Sequence, residues 1–126
     1  LPELLQKVEL STETAKRYPR ETSGGECQRA AIARSLAVQP SLLICDEATS
    51  ALDAAVQAQI IQLLKKLQRE EGLAMLWIGH DLVLVQELCN RVIVMRQGKI
   101  VEQGATREVL EHPTEEYTKL LLEYSL

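Results

Sequence analysis

Leu42-Leu43-Ile44-Cys45-Asp46-Glu47-Ala48-Thr49-Ser50-Ala51-Leu52-Asp53 reads as a strand, a short loop and the first residue of a helix. Four apolar residues in a row stop at two acids, which is the pattern of a parallel strand buried on both faces. In open α/β sheets, ligands sit at the carboxyl ends of the strands. Asp46 at that place can hold Mg²⁺ on a nucleotide. Glu47, emerging from low-dielectric surroundings, can accept a proton from an attacking water. The pair also fits two solvated acids at a strand end. Asp53 reads as a plain helix N-cap.

Downstream, residues 54–70 predict a helix with Val56, Ile60, Leu63, Leu64 and Leu67 on one side and Lys65, Lys66, Arg69 and Glu70 on the other. Gly72 fits its C-cap. Leu73 to Ile78 predicts a second buried strand, and His80 follows it after Gly79. The reading places His80 at the same sheet edge as Asp46 and Glu47. An imidazole there can hydrogen-bond a terminal phosphate or the attacking water; a lone His also fits a surface or packing role. A helix over 81–89 and a third strand, Val92 to Met95, come next, and Gln97-Gly98 turns that strand toward Lys99–Glu102. The hairpin signal is weaker than Asn-Gly. The tail, 105–124, predicts two helices split by Pro113. Strand, helix, strand, helix, strand at this spacing predicts a parallel α/β sheet.

Upstream, Ser23 opens a helix through about Val38, with Ala30, Ala31, Ala33, Leu36 and Ala37 expected to pack inward. Ser23 with Glu26 three residues on forms a capping box. Gly24 and Gly25 are poor helix formers and make sense where something approaches the backbone closely. A helix N-terminus offers free N–H groups and a positive dipole end to a phosphate; an ordinary capped helix with a flexible start fits as well. Residues 1–19 read as short helices and turns.

The 126 residues carry a net charge of −4, which argues against non-specific nucleic-acid binding. Phe is absent, so Leu, Ile, Val and Ala must fill the core. The three cysteines, Cys27, Cys45 and Cys89, form no CxxC pair and read as buried free thiols in a reducing cytosol. The longest apolar run, Leu73 to Ile78, is far short of a membrane span. No GxxxxGK[ST] loop is present; the Gly98-Lys99 pair has Ile93 where the first glycine would stand. The chain begins at Leu1 and is expected to be a fragment.

Taken together, SGGECQR, ARSLAVQP, LLICDEATSALD and LWIGHD in this order and spacing resemble an ABC ATPase domain over nearly the whole chain. YPRETSGGE resembles its signature entry, LLICDE its Walker B, SALD its D-loop and His80 its switch histidine. The tail, with His112 to Leu122, resembles the subfamily serving oligopeptide, dipeptide and nickel importers. The resemblance implies a P-loop NTPase (RecA-like) parallel α/β sheet with flanking helices and part of the α-helical subdomain. It divides the chain into helical subdomain at 1–40, core at 41–104 and helical tail at 105–126. It implies Asp46 on Mg²⁺, Glu47 as catalytic base and His80 on the γ-phosphate. Ser23, Gly24, Gly25 and Glu26 would face ATP held by a second ATP-binding subunit, and Asp53 would bridge the dimer interface. ATP and Mg²⁺ are the implied cofactors. Membrane permease subunits are the implied further partners, and the cytoplasmic face of the membrane the implied place. The alternatives are a soluble ABC-type ATPase acting on DNA or ribosomes and a truncated, non-catalytic partner-binding module. Thr22, Glu26 and Gly79 depart from the residues usual in the family. Without Walker A the chain alone is expected to be inactive. A bare sheet edge beside Leu42–Cys45 is expected to make it poorly soluble or to drive assembly.

Overall fold

The computed structural model describes residues 1–125 and divides into two compact units, Leu1–Ile78 and Gly79–Leu126. In the first, α1 (Pro2–Lys7) leads through two 3₁₀ turns, Thr14–Lys16 and Pro19–Glu21, to α2 (Gly24–Leu36). Strand β1 (Leu42–Asp46), helix α3 (Ala54–Glu71) and strand β2 (Ala74–Ile78) complete it. The two strands pair in parallel, with Leu42 opposite Ala74 and Asp46 opposite Ile78. Helix α3 is therefore the crossover that any parallel pair requires.

Helix α3 forms because apolar residues recur at helical spacing between an Asp53 cap and Gly72, which closes the helix in the left-handed conformation (φ 62°, ψ 28°). Ile60, Leu63, Leu64 and Leu67 are almost completely buried, and they pack with Val8, Ile32, Ala33, Leu36, Leu43, Cys45 and Leu73. The inward stripe of α2 differs from the expected one. Gly25, Ile32, Ala33 and Leu36 are buried, whereas Ala30, Ala31 and Ala37 face solvent. Alanines sit on either side of a helix at little cost, so the larger Ile32 and Leu36 fix which face turns inward.

Strand β1 is buried on one face, not two. Leu43 and Cys45 enter the core, while Leu42 and Ile44 are 49% and 59% exposed. Leu76 and Ile78 on β2 are each 45% exposed. The core cluster reaches β1 through Leu43 and Cys45 alone, together with α2 and α3. An apolar run predicts burial on both faces, but it does not say which part of a protein covers the second face. Among the described residues, β1 pairs with β2 and with no other strand.

At the α1–α2 junction, Arg29 donates to the Val8 carbonyl at 3.0 Å and to Glu9 at 2.9 Å. Arg29 thus closes the end of α1.

The second unit contains α4 (Leu82–Leu88), β3 (Arg91–Arg96), β4 (Lys99–Ala105), α5 (Thr106–Glu111) and α6 (Glu116–Ser125). Strand β3 does not extend the parallel ladder as the alternation of elements predicts. It pairs antiparallel with β4, Arg96 opposite Lys99. The reason is local. Gln97 (φ 50°) and Gly98 (φ 75°) both take positive φ, the conformation of the two-residue turn whose twist matches a hairpin. Of the three thiols, Cys45 is buried, Cys89 partly buried and Cys27 exposed, the last against the expected burial, and none is joined in a disulfide. Burial pushes the Cys89 thiol up from its ordinary value. Among the described residues no helix is long and apolar enough to cross a membrane.

Candidate functional site

Strand β1 delivers Asp46 and Glu47 to the carboxyl end of the parallel pair. Both side chains are exposed. Among the described residues, Glu47 is one of four non-glycine residues with positive φ, here 47°, a region that disfavours side chains. Three contacts hold it there. Its N–H donates to the Ile78 carbonyl at 2.8 Å, and its own carbonyl accepts from the Ser50 N–H at 3.2 Å and the Ser50 hydroxyl at 3.0 Å. Strained backbone that is over-determined in this way clusters at functional sites. The chain thus leaves the sheet at Glu47, directly after Asp46 ends the strand.

Asp46 and Glu47 line a groove of about 370 Å³, together with Gln28 and Ser35 of α2 and Leu52. Among the described residues, no group of three or more acidic, His or Cys side chains gathers as a metal site. One carboxylate at a strand end fits Mg²⁺ carried in on a nucleotide, because that ion keeps several waters and takes one or two carboxylates plus phosphate oxygens.

The glycine-rich start of α2 is capped as the sequence predicts. Ser23 Oγ accepts from the Glu26 N–H at 3.1 Å, and Glu26 Oε2 accepts from the Ser23 N–H at 3.0 Å. The acid of this motif is therefore turned back onto its own helix. Gly24 and Gly25 pack beside the loop and helix that follow β1. A Cβ at Gly24 would stand 3.3 Å from Leu52 Cδ2, and one at Gly25 only 2.7 Å from Val56 Cγ1. Asp53 caps α3 by accepting from the Val56 N–H at 3.0 Å. The fold thus brings Gly24 and Gly25 beside Leu52 and Val56, around the start of α3, and places Asp46 and Glu47 together in the groove.

His80 is exposed and stands two residues after β2 in the chain, as the first residues of the second unit begin. Asp81 caps α4 by accepting from the Val83 N–H at 3.0 Å and the Leu84 N–H at 3.2 Å. Sequence reasoning missed Ser50 and Val56 as supports of these residues. The Ser50 contact has a legible signal, a hydroxyl three residues after the acid. The Val56 contact has none, since it joins residues 31 apart.

A family model described as "ABC transporter" matches residues 1–50. The oligopeptide transport ATP-binding protein OppF of Salmonella typhimurium is 49% identical over 119 residues, which cover 94% of this chain and 36% of that protein. OppF of Mycoplasma pneumoniae is 51% identical over 123 residues, 98% of this chain and 14% of that one. The glutathione import ATP-binding protein GsiA of Pectobacterium atrosepticum is 51% identical over 119 residues, 94% and 19%. The chain spans between 14% and 36% of these relatives. Among solved structures, an inward-facing putative metal-chelate type ABC transporter superposes with a TM-score of 0.82 at 29% identity, covering 97% of this chain and 46% of the other. A dimeric ATP-binding cassette in a post-hydrolysis state, bound to ADP and Pi, gives 0.70 at 36% identity, covering 84% and 45%.

Proposed function

We propose that this chain, which belongs to the ATP-binding domains of ABC transporters and corresponds to their C-terminal part, helps hydrolyse ATP to drive an importer of peptides or similar small solutes. The observation that carries the reading is the end of β1. There an acid in strand conformation is followed at once by a second acid, held in left-handed backbone by Ile78 and Ser50. Two carboxylates with different backbone geometry can take different roles.

In this reading Asp46 would hold Mg²⁺ on the nucleotide, where a bound ion would supply charge neutralisation at the phosphate oxygens. Glu47 takes the proton of the attacking water. His80 hydrogen-bonds the γ-phosphate through a ring N–H. Ser23, Gly24, Gly25 and the inward-turned Glu26 form a capped helix start for a phosphate held by a second ATP-binding subunit. Asp53, at the neighbouring helix start, faces the dimer interface. Such a two-fold arrangement has the same patch on both subunits. ATP would close the pair and hydrolysis would open it, which moves permease subunits at the cytoplasmic face of the membrane.

In the full-length domain, Glu47→Gln is expected to lower ATP hydrolysis by about 10²-fold or more and to let an ATP-dependent dimer accumulate. Hydrolysis at the wild-type rate would reject the assignment.

A further inference from the structure

The second glycine of the α2 start is buried, and the first is exposed. Their surroundings differ in kind. The group nearest a Cβ at Gly24 would be the far end of the Leu52 side chain, at 3.3 Å, which can rotate aside. The group nearest a Cβ at Gly25 would be Val56 Cγ1, at 2.7 Å. Val56 cannot give way in the same manner. It lies in the first turn of α3, its amide is held by Asp53 at 3.0 Å, and a β-branched side chain in a helix has one strongly preferred rotamer.

We infer that Val56 is a positioning residue. It seats Gly25 against α3, and this seat sets how far the exposed Ser23–Gly24 start of α2 projects toward a phosphate. The inference rests on the nucleotide reading above. Glycine at 25 is then required by a neighbour within the same chain. It is the missing side chain of Gly25 that serves the seat. One residue thereby links the glycine-rich start to the Asp53 cap, because Val56 touches the first with its side chain and the second with its amide.

A four-member cycle in the full-length domain tests this: wild type, Gly25→Ala, Val56→Ala and the double variant. Shortening Val56 to Ala leaves its Cβ 4.0 Å from a Cβ at position 25, an ordinary contact. Gly25→Ala alone should raise KM for ATP about tenfold and leave kcat within about threefold, because Glu47 is untouched. The double variant should return KM to within about threefold of Val56→Ala. The melting temperature should show a change of sign. The added methyl lowers it beside valine and raises it beside alanine, since alanine is the better helix former.

A double variant that keeps the high KM of Gly25→Ala means that the methyl obstructs the ligand itself, and the inference fails. If Gly25→Ala does not fold, recovery of folded protein in the double variant supports the seat, and no recovery overturns it. If wild type hydrolyses no ATP, the nucleotide reading is what fails. The melting temperatures still report on the contact, and shifts of the same sign in both backgrounds would overturn it.

Discussion

Helices α3 and α6 are both amphipathic, yet different forces hold them. Helix α3 places Ile60, Leu63, Leu64 and Leu67 in a core where each is at most 2% exposed. Helix α6 buries only Thr118 among its residues and leaves Leu120 and Tyr124 46% and 84% exposed. It is fastened instead by polar contacts from the hairpin. The Glu102 carboxylate on β4 accepts from the Thr114 N–H at 2.8 Å, the Thr114 hydroxyl at 2.9 Å and the Glu115 N–H at 3.2 Å. The Arg96 guanidinium lies 4.9 Å from the centre of the Tyr117 ring. Apolar burial is non-directional and indifferent to pH, whereas a carboxylate on helix amides depends on its charge. The candidate catalytic acids extend from a strand that packs on α3, so the pH-independent force supports the chemistry.

The largest effect expected from this contrast is at Leu64. Leu64→Ala removes a side chain that is 1% exposed and should cost about 2–5 kcal/mol, from lost transfer energy and the cavity left behind. Urea unfolding followed by circular dichroism reads it. A loss below about 1 kcal/mol would mean that the site collapses to fill the space, and the first unit would then not be the tightly packed one.

A smaller loss is expected at the start of the same helix. Asp53→Ala leaves the Val56 N–H without its 3.0 Å acceptor and should cost about 0.5–2 kcal/mol, while Asp53→Asn should keep most of the cap. An equal loss in both variants would assign Asp53 a role beyond capping that needs its charge.

Local rules made much of this molecule legible. The Ser23–Glu26 box, the Asp53 and Asp81 caps and the Gly72 stop each depend on residues within a few positions of one another. What could not be read involves distant partners. The run Leu42–Cys45 cannot tell whether its second face is covered, and Ala30 and Ala31 carry too little apolar area to fix a face. The 2.7 Å approach at Gly25 depends on Val56, and a sequence offers only the glycine. The same holds for Glu102, which reads as a solvated strand residue until residues 114 and 115 arrive beside it. For the site, the acids and the glycine start were visible as types and spacing. The left-handed backbone of Glu47 was not, because nothing in Asp-Glu-Ala-Thr demands it.

The smallest expected effect is the one that distinguishes the two helices most sharply. The Glu102 carboxyl is held down to about 2 from an ordinary 4.5, first by the Thr118 hydroxyl and next by the Thr114 amide. That hydroxyl is buried and falls short of full hydrogen-bond geometry, so the amides of residues 114 and 115 provide the well-formed contacts. A carboxyl whose value is depressed on folding stabilises the folded state fully above its unfolded value. It loses that contribution as the pH falls through the folded one. The fastening of α6 should therefore be complete above about pH 4.5 and fade as the pH falls toward 2. Because the carboxylate is open to water, added salt should weaken it. Amide NMR shifts of Thr114 and Glu115 during an acid titration read the change directly. Glu102→Gln should remove the pH dependence at both amides while leaving Leu64 and its neighbours on α3 unaltered. A Glu102 carboxyl that titrates at its ordinary value would mean that the amides do not bind it as charge. Helix α6 would then have to be held by its apolar side, and the contrast with α3 would disappear.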